Sequence, residues 1–408
     1  MNRRQVMINT AVILLVCLVG ATPVTASWET RNRILQEGIE ANFAGEYDQA
    51  AEIFSRIGKE DPDHPSRAFY LAVVLFWRSS MDPGDSRYVD RIRAYLNQAK
   101  AQAEKLLDMD PDDLDALHYT GLIYTYLGRL EAHSGRLYQG GVLGEKGRRY
   151  LERALAVCRQ DNALPDGTAA DCCRSCEDLY FPYGAYSYFA GRLPRFLKWI
   201  SFLWFIPSGS TEEGLAAIQR AYENSALHRL GAKSLLVGIY LNFEEGRLEL
   251  AHDLSRGLIE RFPDNPYLEY QHARLLIAEG RYRDALRQSE SILHKVEGGL
   301  RNYDVLVRQG ALLVRAEAAI HLENRSMADQ SLKKLENNPA FQKNSLWPYT
   351  DLLRGMVADW ENNRKTAVAY YEKAQSYEGG MKNRIVSRRA GAYLKNPFVI
   401  SGAVPSVR

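Results

Sequence analysis

Four cysteines lie close together in the middle of the sequence and are candidates for chemistry. Cys172, Cys173 and Cys176 stand in the run CCRSC, and Cys158 precedes them in the same segment. A thiolate is a nucleophile and a metal ligand, and two thiols can join in a disulfide. Three interpretations follow: disulfides that close the segment, half of a metal site, or a redox-active pair of Cys173 and Cys176.

Disulfides are the favoured interpretation. Without Cys17, which lies in a segment that we expect to be removed, the chain keeps an even number of cysteines, as a disulfide framework requires. A bond between the adjacent Cys172 and Cys173 would be strained, so we expect Cys158 to pair with one of the other three. No second CxxC motif or nearby histidine completes a zinc set. We expect no metal and no cofactor, and the redox pair stays as an alternative.

Other catalytic motifs are missing from the sequence. The stretch GGVLGEKGRR, residues 140–149, has Glu145 where a phosphate-binding loop needs a glycine before Lys146. We predict a flexible connection there. The acidic residues 108–115 lack the central glycine of a calcium loop and predict the turn that enters a helix. Neither HExxH nor GxSxG occurs. We therefore expect a protein that is not an enzyme.

The first segment predicts export. Residues 1–26 have a basic start, an apolar run over 11–19 and small residues up to Ala26. This is the layout of a secretory signal peptide cleaved after Ala26, and the apolar run is short for a membrane span. A lipid on Cys17 and an uncleaved anchor are the alternatives, but Val16 stands where the lipoprotein pattern expects Gly, Ala or Ser. We expect an exported, periplasmic protein.

Composition and charge narrow the class of partner. The chain of 408 residues is 46% hydrophobic and 25% charged, which is ordinary for a folded protein. Its formal net charge is +2, and removal of Arg3 and Arg4 with the signal peptide leaves none. A neutral chain lacks the electrostatic footprint of a nucleic-acid-binding protein. We therefore expect a protein or peptide partner and no nucleic acid.

Small and large apolar residues recur along the chain with spacings of 12, 4 and 3 residues. The two clearest copies are Gly38, Ala50, Phe54 and Ile57, and Gly355, Ala367, Tyr371 and Ala374. The pattern resembles the tetratricopeptide repeat, a pair of helices about 34 residues long. A small residue in each helix allows the two to approach closely, and the large residues fill the groove between them. The resemblance implies an all-α, right-handed solenoid of such helical hairpins.

The repeat template predicts about eight helical pairs, several of them degenerate. They fall near residues 31–62, 67–110, 114–160, 179–225, 230–262, 265–297, 302–337 and 346–377. The resulting organisation is a signal peptide (1–26), N-terminal repeats (27–160), a Cys-containing loop with an aromatic insertion (161–210), C-terminal repeats (211–380), and a capping segment with a tail (381–408). The middle of the chain also resembles the tetratricopeptide-repeat-39-like family, through a Leu-Pro pair, an apolar run and a Gly-Leu helix, which implies a scaffold role.

The insertion within residues 192–210 carries a dense group of aromatic side chains. They are Phe196, Trp199, Phe202, Trp204 and Phe205. If exposed, they predict a site for a partner, or contact between residues 196–206 and a membrane surface without a span. If tucked inside the solenoid, they only fill its concave face. A pocket closed by this insertion would make the chain a small-molecule or lipid-binding protein, which is the main functional alternative.

The resemblance also implies where a partner would bind. Ligands of tetratricopeptide repeats meet the first helix of each pair, on the concave face. The matching positions in this sequence hold Phe43, Tyr126, Tyr188, Phe189, Tyr240, Phe243, Tyr270, Arg274 and Trp360. Such rings bind side chains of a peptide or helix at little entropic cost, although they also pack neighbouring hairpins. We expect a non-catalytic, exported adaptor whose concave groove binds an envelope protein or a segment of one.

Overall fold

The computed structural model describes residues 24–80, 86–161, 176–192, 209–242, 247–376 and 383–400. Within these ranges the chain forms seventeen α-helices and no strand. The helices are α1 (Val24–Phe43), α2 (Tyr47–Glu60), α3 (Ser66–Arg78), α4 (Val89–Met109), α5 (Leu114–His133), α6 (Leu137–Asp161), α7 (Tyr180–Gly191), α8 (Thr211–Asn224), α9 (Arg229–Asn242), α10 (Leu248–Arg261), α11 (Pro266–Ala278), α12 (Tyr282–Glu297), α13 (Val305–His321), α14 (Arg325–Glu336), α15 (Trp347–Trp360), α16 (Arg364–Ser376) and α17 (Asn383–Lys395).

The first sixteen helices form eight consecutive antiparallel pairs. Helix α1 packs on α2, α3 on α4, and so on to α15 on α16, while α17 packs on the last pair. The predicted all-α solenoid of about eight hairpins is confirmed, and the predicted capping helix within 381–408 is α17. The acidic residues 108–115 form the expected turn, in which the Asp113 side chain accepts a hydrogen bond from the Ala116 amide and caps α5.

The recurring glycine sets the distance between the helices of a pair. A Cβ atom on Gly38 would lie 2.3 Å from the Phe54 ring, and one on Gly355 would lie 2.3 Å from the Tyr371 ring. Both rings are fully buried. The first and last pairs therefore use the same contact, in which an aromatic side chain of the second helix lies directly against the backbone of the first.

A second glycine signal marks the turn within two of the hairpins. Gly45 and Gly280 have φ values of 81° and 72°, which a residue with a Cβ rarely adopts. Two residues later, Tyr47 and Tyr282 begin α2 and α12 with their side chains buried. The shared sequence Gly-x-Tyr thus encodes a tight turn followed by an anchored helix.

The glycine-rich stretch 140–149 is not the flexible connection that we predicted. It lies inside α6, which begins at Leu137. Gly140, Gly144 and Gly147 follow helical spacing, so they share one face of α6. A Cβ on Gly140 would lie 2.7 Å from the carbonyl oxygen of Gly128 in α5, and one on Gly147 would lie 2.8 Å from the oxygen of Gly121. These glycines allow two backbones to touch, and here they serve packing.

The solenoid closes on itself, because its first pair contacts the sixth and seventh. The Phe43 ring packs against Trp77 of α3 and against Phe262, with centroids 4.6 and 5.7 Å apart. The Asn265 amide, fully buried, donates to the Phe43 carbonyl at 2.9 Å, and the Asn302 amide donates to the Gly45 carbonyl at 2.5 Å. In a solenoid each pair is generally in contact only with its neighbours, and this closure is an exception.

The contact between Gly355 and Tyr371 yields a stability prediction. Gly355→Ala should lower the free energy of unfolding by about 1–3 kcal/mol, because the added methyl group overpacks a buried ring. At Gly141, also helical, a Cβ would have no neighbouring atom within 4 Å. Gly141→Ala should therefore raise the free energy of unfolding by about 0.5–1 kcal/mol. Denaturant unfolding of both variants measures this, and equal effects of the two substitutions would contradict the account.

Candidate functional site

Four of the eight aromatic rings predicted to line an open groove are buried. Phe43, Tyr188, Tyr240 and Tyr270 expose 3, 0, 2 and 6% of their surface. Each packs against neighbouring helices within the hydrophobic core. In this conformation the four rings contribute packing, and a partner cannot reach their faces.

The other predicted groove residues divide into two groups. Tyr126, Phe189, Arg274 and Trp360 are half-buried, whereas Phe243 lies outside the described residues. The Arg274 guanidinium donates to the Asn242 side chain at 3.0 Å. The edges of these four side chains remain accessible, so their role in binding a partner stays a prediction.

The most exposed apolar surface in the described ranges lies at the start of α6. Leu137, Tyr138 and Val142 expose 63, 58 and 44% of their surface, and we call them the α6 surface. Tyr138 and Val142 line an open cleft of about 430 Å³, together with Glu131, Gln139 and Leu143. Single exposed apolar residues are ordinary, but three within two helical turns form a candidate contact surface. The repeat template did not indicate this site, although the apolar residues beside the glycines were a signal.

Helix α7, which precedes the aromatic insertion, packs on α6. A Cβ on Gly144 would lie 2.7 Å from the Tyr186 ring, and the Tyr186 hydroxyl donates to the Glu145 carboxylate at 3.2 Å. Because α7 runs antiparallel to α6, its C-terminal end lies beside the first turns of α6. Gly209, where the described chain resumes, packs on Ser187 of α7. The described residues on either side of the insertion, Arg192 and Gly209, therefore lie at the C-terminal end of α7.

The predicted aromatic residues of the insertion lie outside the described residues. They are Phe196, Trp199, Phe202, Trp204 and Phe205. Among the helices that are described, none combines the length and apolar character needed to cross a membrane.

A disulfide joins Cys158 to Cys176, with the sulfurs 2.01 Å and the Cα atoms 5.9 Å apart. The prediction that Cys158 pairs with one of the CCRSC cysteines is confirmed, while Cys172 and Cys173 lie outside the described residues. Both bonded cysteines are buried at the C-terminal end of α6. Because Cys176 is already bonded to Cys158, the redox pair of Cys173 and Cys176 is not the arrangement present.

Ser66, His64 and Asp115 form a hydrogen-bonded chain that the sequence analysis did not find. The His64 ring lies 2.8 Å from the Ser66 hydroxyl through Nδ1 and 2.9 Å from the Asp115 carboxylate through Nε2. These residue types form catalytic triads, in which the serine must reach a substrate carbonyl. Here Ser66 is completely buried at the start of α3. No substrate reaches it, so the chain of hydrogen bonds is structural.

The same Asp115 carboxylate anchors α1 to α5. The Arg31 side chain donates to it at 2.6 Å and to Asp61 at 3.1 Å. Burial alone would raise the pKa of Asp115, but the hydrogen bond from His64 and the charge of Arg31 outweigh burial and lower it to about 2. The carboxylate therefore stays ionised at neutral pH as part of a permanent ion pair.

A pair of buried histidines joins α5 to the start of α9. The Nε2 atoms of His118 and His228 lie 3.4 Å apart, and Phe181 stacks on His228. The neighbouring Asp178 carboxylate accepts hydrogen bonds from the Ser225 hydroxyl at 2.5 Å and the Leu227 amide at 3.0 Å. Burial lowers the pKa of both histidines to about 4. They are neutral at physiological pH and hold two parts of the chain together.

No group in the described ranges brings together three histidine, cysteine, aspartate or glutamate side chains in a way that could hold a metal ion. The clusters described above tie helices to one another and leave no room for a substrate. The arrangement can therefore bind a surface at α6 but offers no assembled catalytic centre in the part of the chain described.

The buried histidine pair predicts acid lability. The unfolded chain binds protons at these sites near pKa 6.5, but the folded chain only near 4. Protonation therefore favours unfolding between these values. The free energy of unfolding is highest above about pH 6.5 and decreases as the pH is lowered from 6.5 towards 4. Between pH 7 and 5.5 the two sites together should cost about 2 kcal/mol.

Denaturant unfolding at both pH values measures this loss. The variant His118→Leu/His228→Leu should lose this part of the pH dependence, while His294→Leu, at an exposed position, should keep it. If all three proteins show the same difference between pH 7 and 5.5, the histidine pair is not responsible.

Comparisons with known proteins do not assign the chain to a family. No protein-family model matches it, and no curated protein sequence does. Among solved structures, yeast Tom70 is 12% identical over 89% of this chain and 82% of that one, with a TM-score of 0.38. Human IFIT1, solved as a dimer with m7Gppp-AAAA, is 14% identical over 91% and 86%, with a TM-score of 0.43. The P58(IPK) TPR domain is 15% identical over 90% and 98%, with a TM-score of 0.21. At these values the similarity supports no inference about activity or partner.

Proposed function

We propose that this chain is a non-catalytic protein-interaction scaffold that binds its partner at the α6 surface. The observation that carries the proposal is the exposure of Leu137, Tyr138 and Val142, of which the last two line an open cleft. Exposed apolar side chains lose contact with water when a partner packs on them, which stabilises a complex. The solenoid supplies a rigid frame, since α5 and α6 touch through their backbones at Gly128 and Gly140.

The exposure of the side chains favours binding at the α6 surface over binding along an open groove. Four of the eight groove aromatics that a partner was expected to contact are buried, whereas the α6 surface is free of covering residues among those described. Tyr126 and Phe189 are half-buried on α5 and α7, the two helices that flank α6. We propose that they extend the binding site beyond the α6 surface.

We further propose that the partner is a protein or peptide segment of the cell envelope. The predicted signal peptide directs the chain out of the cytosol. The Cys158–Cys176 disulfide supports this location, because disulfides form and persist in oxidising compartments. The predicted cleavage site after Ala26 lies in the first turn of α1.

A second candidate function is the binding of a small apolar molecule or lipid. Gly209, the described residue that follows the insertion, packs on Ser187 of α7, and α7 packs on α6, which carries the cleft. If residues 193–208 cover this cleft, its apolar lining would enclose a ligand. This proposal uses the same surface but makes the occupant a small molecule instead of a protein.

Site-specific crosslinking in the cells that naturally make the protein separates the two functions. A photo-reactive amino acid at Tyr138 should give a discrete crosslinked protein that the same amino acid at Leu250 does not give. Leu250 is a matched control because it is exposed by 52% on α10, away from α6. The substitutions Leu137→Glu and Val142→Glu should abolish the crosslink, while Leu250→Glu should leave it unchanged.

Other outcomes have definite meanings. A lipid or small molecule extracted from the purified protein, and lost in Leu137→Glu/Val142→Glu, supports the second function. Identical crosslinks from positions 138 and 250 would contradict a specific site at α6. Mass spectrometry of the same preparation tests export, since we expect a mature start at Ser27 and alkylation of Cys158 and Cys176 only after reduction.

A further inference from the structure

The C-terminal helix places a charged side chain against a buried carboxylate. Arg389 of α17 is half-buried, with 15% of its side-chain surface exposed, and donates to the Glu317 carboxylate of α13 at 2.5 Å. Glu317 is completely buried, and its second oxygen accepts a hydrogen bond from the Tyr349 hydroxyl of α15. The guanidinium also lies 5.8 Å from the centre of the Tyr349 ring. The Arg389 guanidinium of the C-terminal helix thus compensates the negative charge of Glu317.

The residues after α17 continue along the same helices. The Phe398 amide donates to the Asp359 carboxylate at 2.8 Å, and the Phe398 ring packs on His321 with centroids 5.5 Å apart. Phe398 itself is buried. We define the C-terminal groove as Glu317 and His321 of α13 with Tyr349 and Asp359 of α15. It holds one helix and one extended segment, and it contacts them through a guanidinium, a ring and a backbone amide.

The fit of this segment leaves several buried polar atoms without a partner among the described residues. They are Nε of Arg389, both ring nitrogens of His321, and the hydroxyl of Tyr282, which stacks on His321 at 4.1 Å. By contrast, Arg354 of α15 donates through Nε, Nη1 and Nη2 to Glu336 and Asp329. Each unpaired buried group costs about 1–3 kcal/mol. The segment is therefore held by a specific but incompletely satisfied set of contacts.

We propose that the C-terminal groove is a second interaction site, and that residues 383–400 are its internal occupant. The occupant in trans is a helical segment of a partner that presents an arginine to Glu317 and an aromatic ring to His321. Charge decides the chemistry, because a hydrogen-bonded cation compensates the cost of burying an ionised carboxylate such as that of Glu317. The planar guanidinium of arginine suits this geometry, whereas lysine offers only a point charge. A partner that also pairs the unsatisfied nitrogens displaces α17.

A peptide-binding experiment on the full chain tests the proposal. The probe is a fluorescent synthetic peptide with the sequence of residues 383–400. Its affinity is measured for three proteins. They are the wild-type chain, the variant Arg389→Met/Phe398→Ala, and the same variant with Glu317→Gln added. The peptide should bind the double variant at least ten times more tightly than the wild-type chain, whose groove is filled. Adding Glu317→Gln should remove this gain, and so should a peptide with Arg389→Lys.

Several results would overturn the proposal. One is a folded double variant that binds the peptide no better than the wild-type chain. Another is binding that Glu317→Gln leaves unchanged, which would place the peptide elsewhere. A concentration-dependent dimer of the wild-type chain that Glu317→Gln abolishes assigns the groove to a second copy and overturns a partner in trans.

Hydrogen exchange on the wild-type chain keeps the test decisive if the double variant does not fold. A displaceable α17 opens locally, so its amides should exchange at least ten times faster than those of α13 and α15. Equal protection of the three helices would show that α17 opens only with the whole solenoid, and the proposal would be wrong.

Discussion

The fold depends on how closely the two helices of a pair approach. In the first and last pairs a glycine, Gly38 or Gly355, leaves room for a buried ring of the second helix. In the third pair the glycines of α5 and α6 remove the side chains altogether, so the backbones touch. Short separations inside each pair leave the large apolar side chains to fill the space between pairs. Each hairpin is thereby rigid, and the position of any surface residue follows from the stacking of hairpins.

The closure of the solenoid changes where a partner can bind. In an open solenoid the inner face is free, and its aromatic residues are the natural contact site. Here Phe43 and Trp77 pack against Phe262 and the helices around it, so the packed faces of these aromatic side chains are not available to a partner. At the other end, Arg389 of α17 lies against Glu317 of α13 and Tyr349 of α15. Leu137, Tyr138 and Val142 of α6 stay exposed, so the recognition surface that we propose is on α6 and not at the buried rings.

The predictable part of this structure is the part set by contacts close in sequence. The contact of Gly355 with Tyr371 lies within one hairpin, and its spacing recurs along the chain, so the sequence predicted the eight pairs. The capping helix was predicted as well. The contact of Asn265 with the Phe43 carbonyl joins residues far apart, and no periodicity encodes it. The glycines of α6 were misinterpreted because glycine serves both flexible turns and close packing, and only the partner helix distinguishes them. Of the candidate site, the pairing of Cys158 was foreseen, whereas the α6 surface was not.

The closure also orders the events of folding. The hydrogen bonds from Asn265 and Asn302 to the first hairpin span 222 and 257 residues. The first hairpin leaves the ribosome long before the residues that cover Phe43 have been made. Its apolar surface must therefore remain in contact with water, or with a chaperone, until about two thirds of the chain are present. Contacts of such long range form late and slowly, so a chain of this kind completes its fold only after the sixth and seventh pairs have been synthesised.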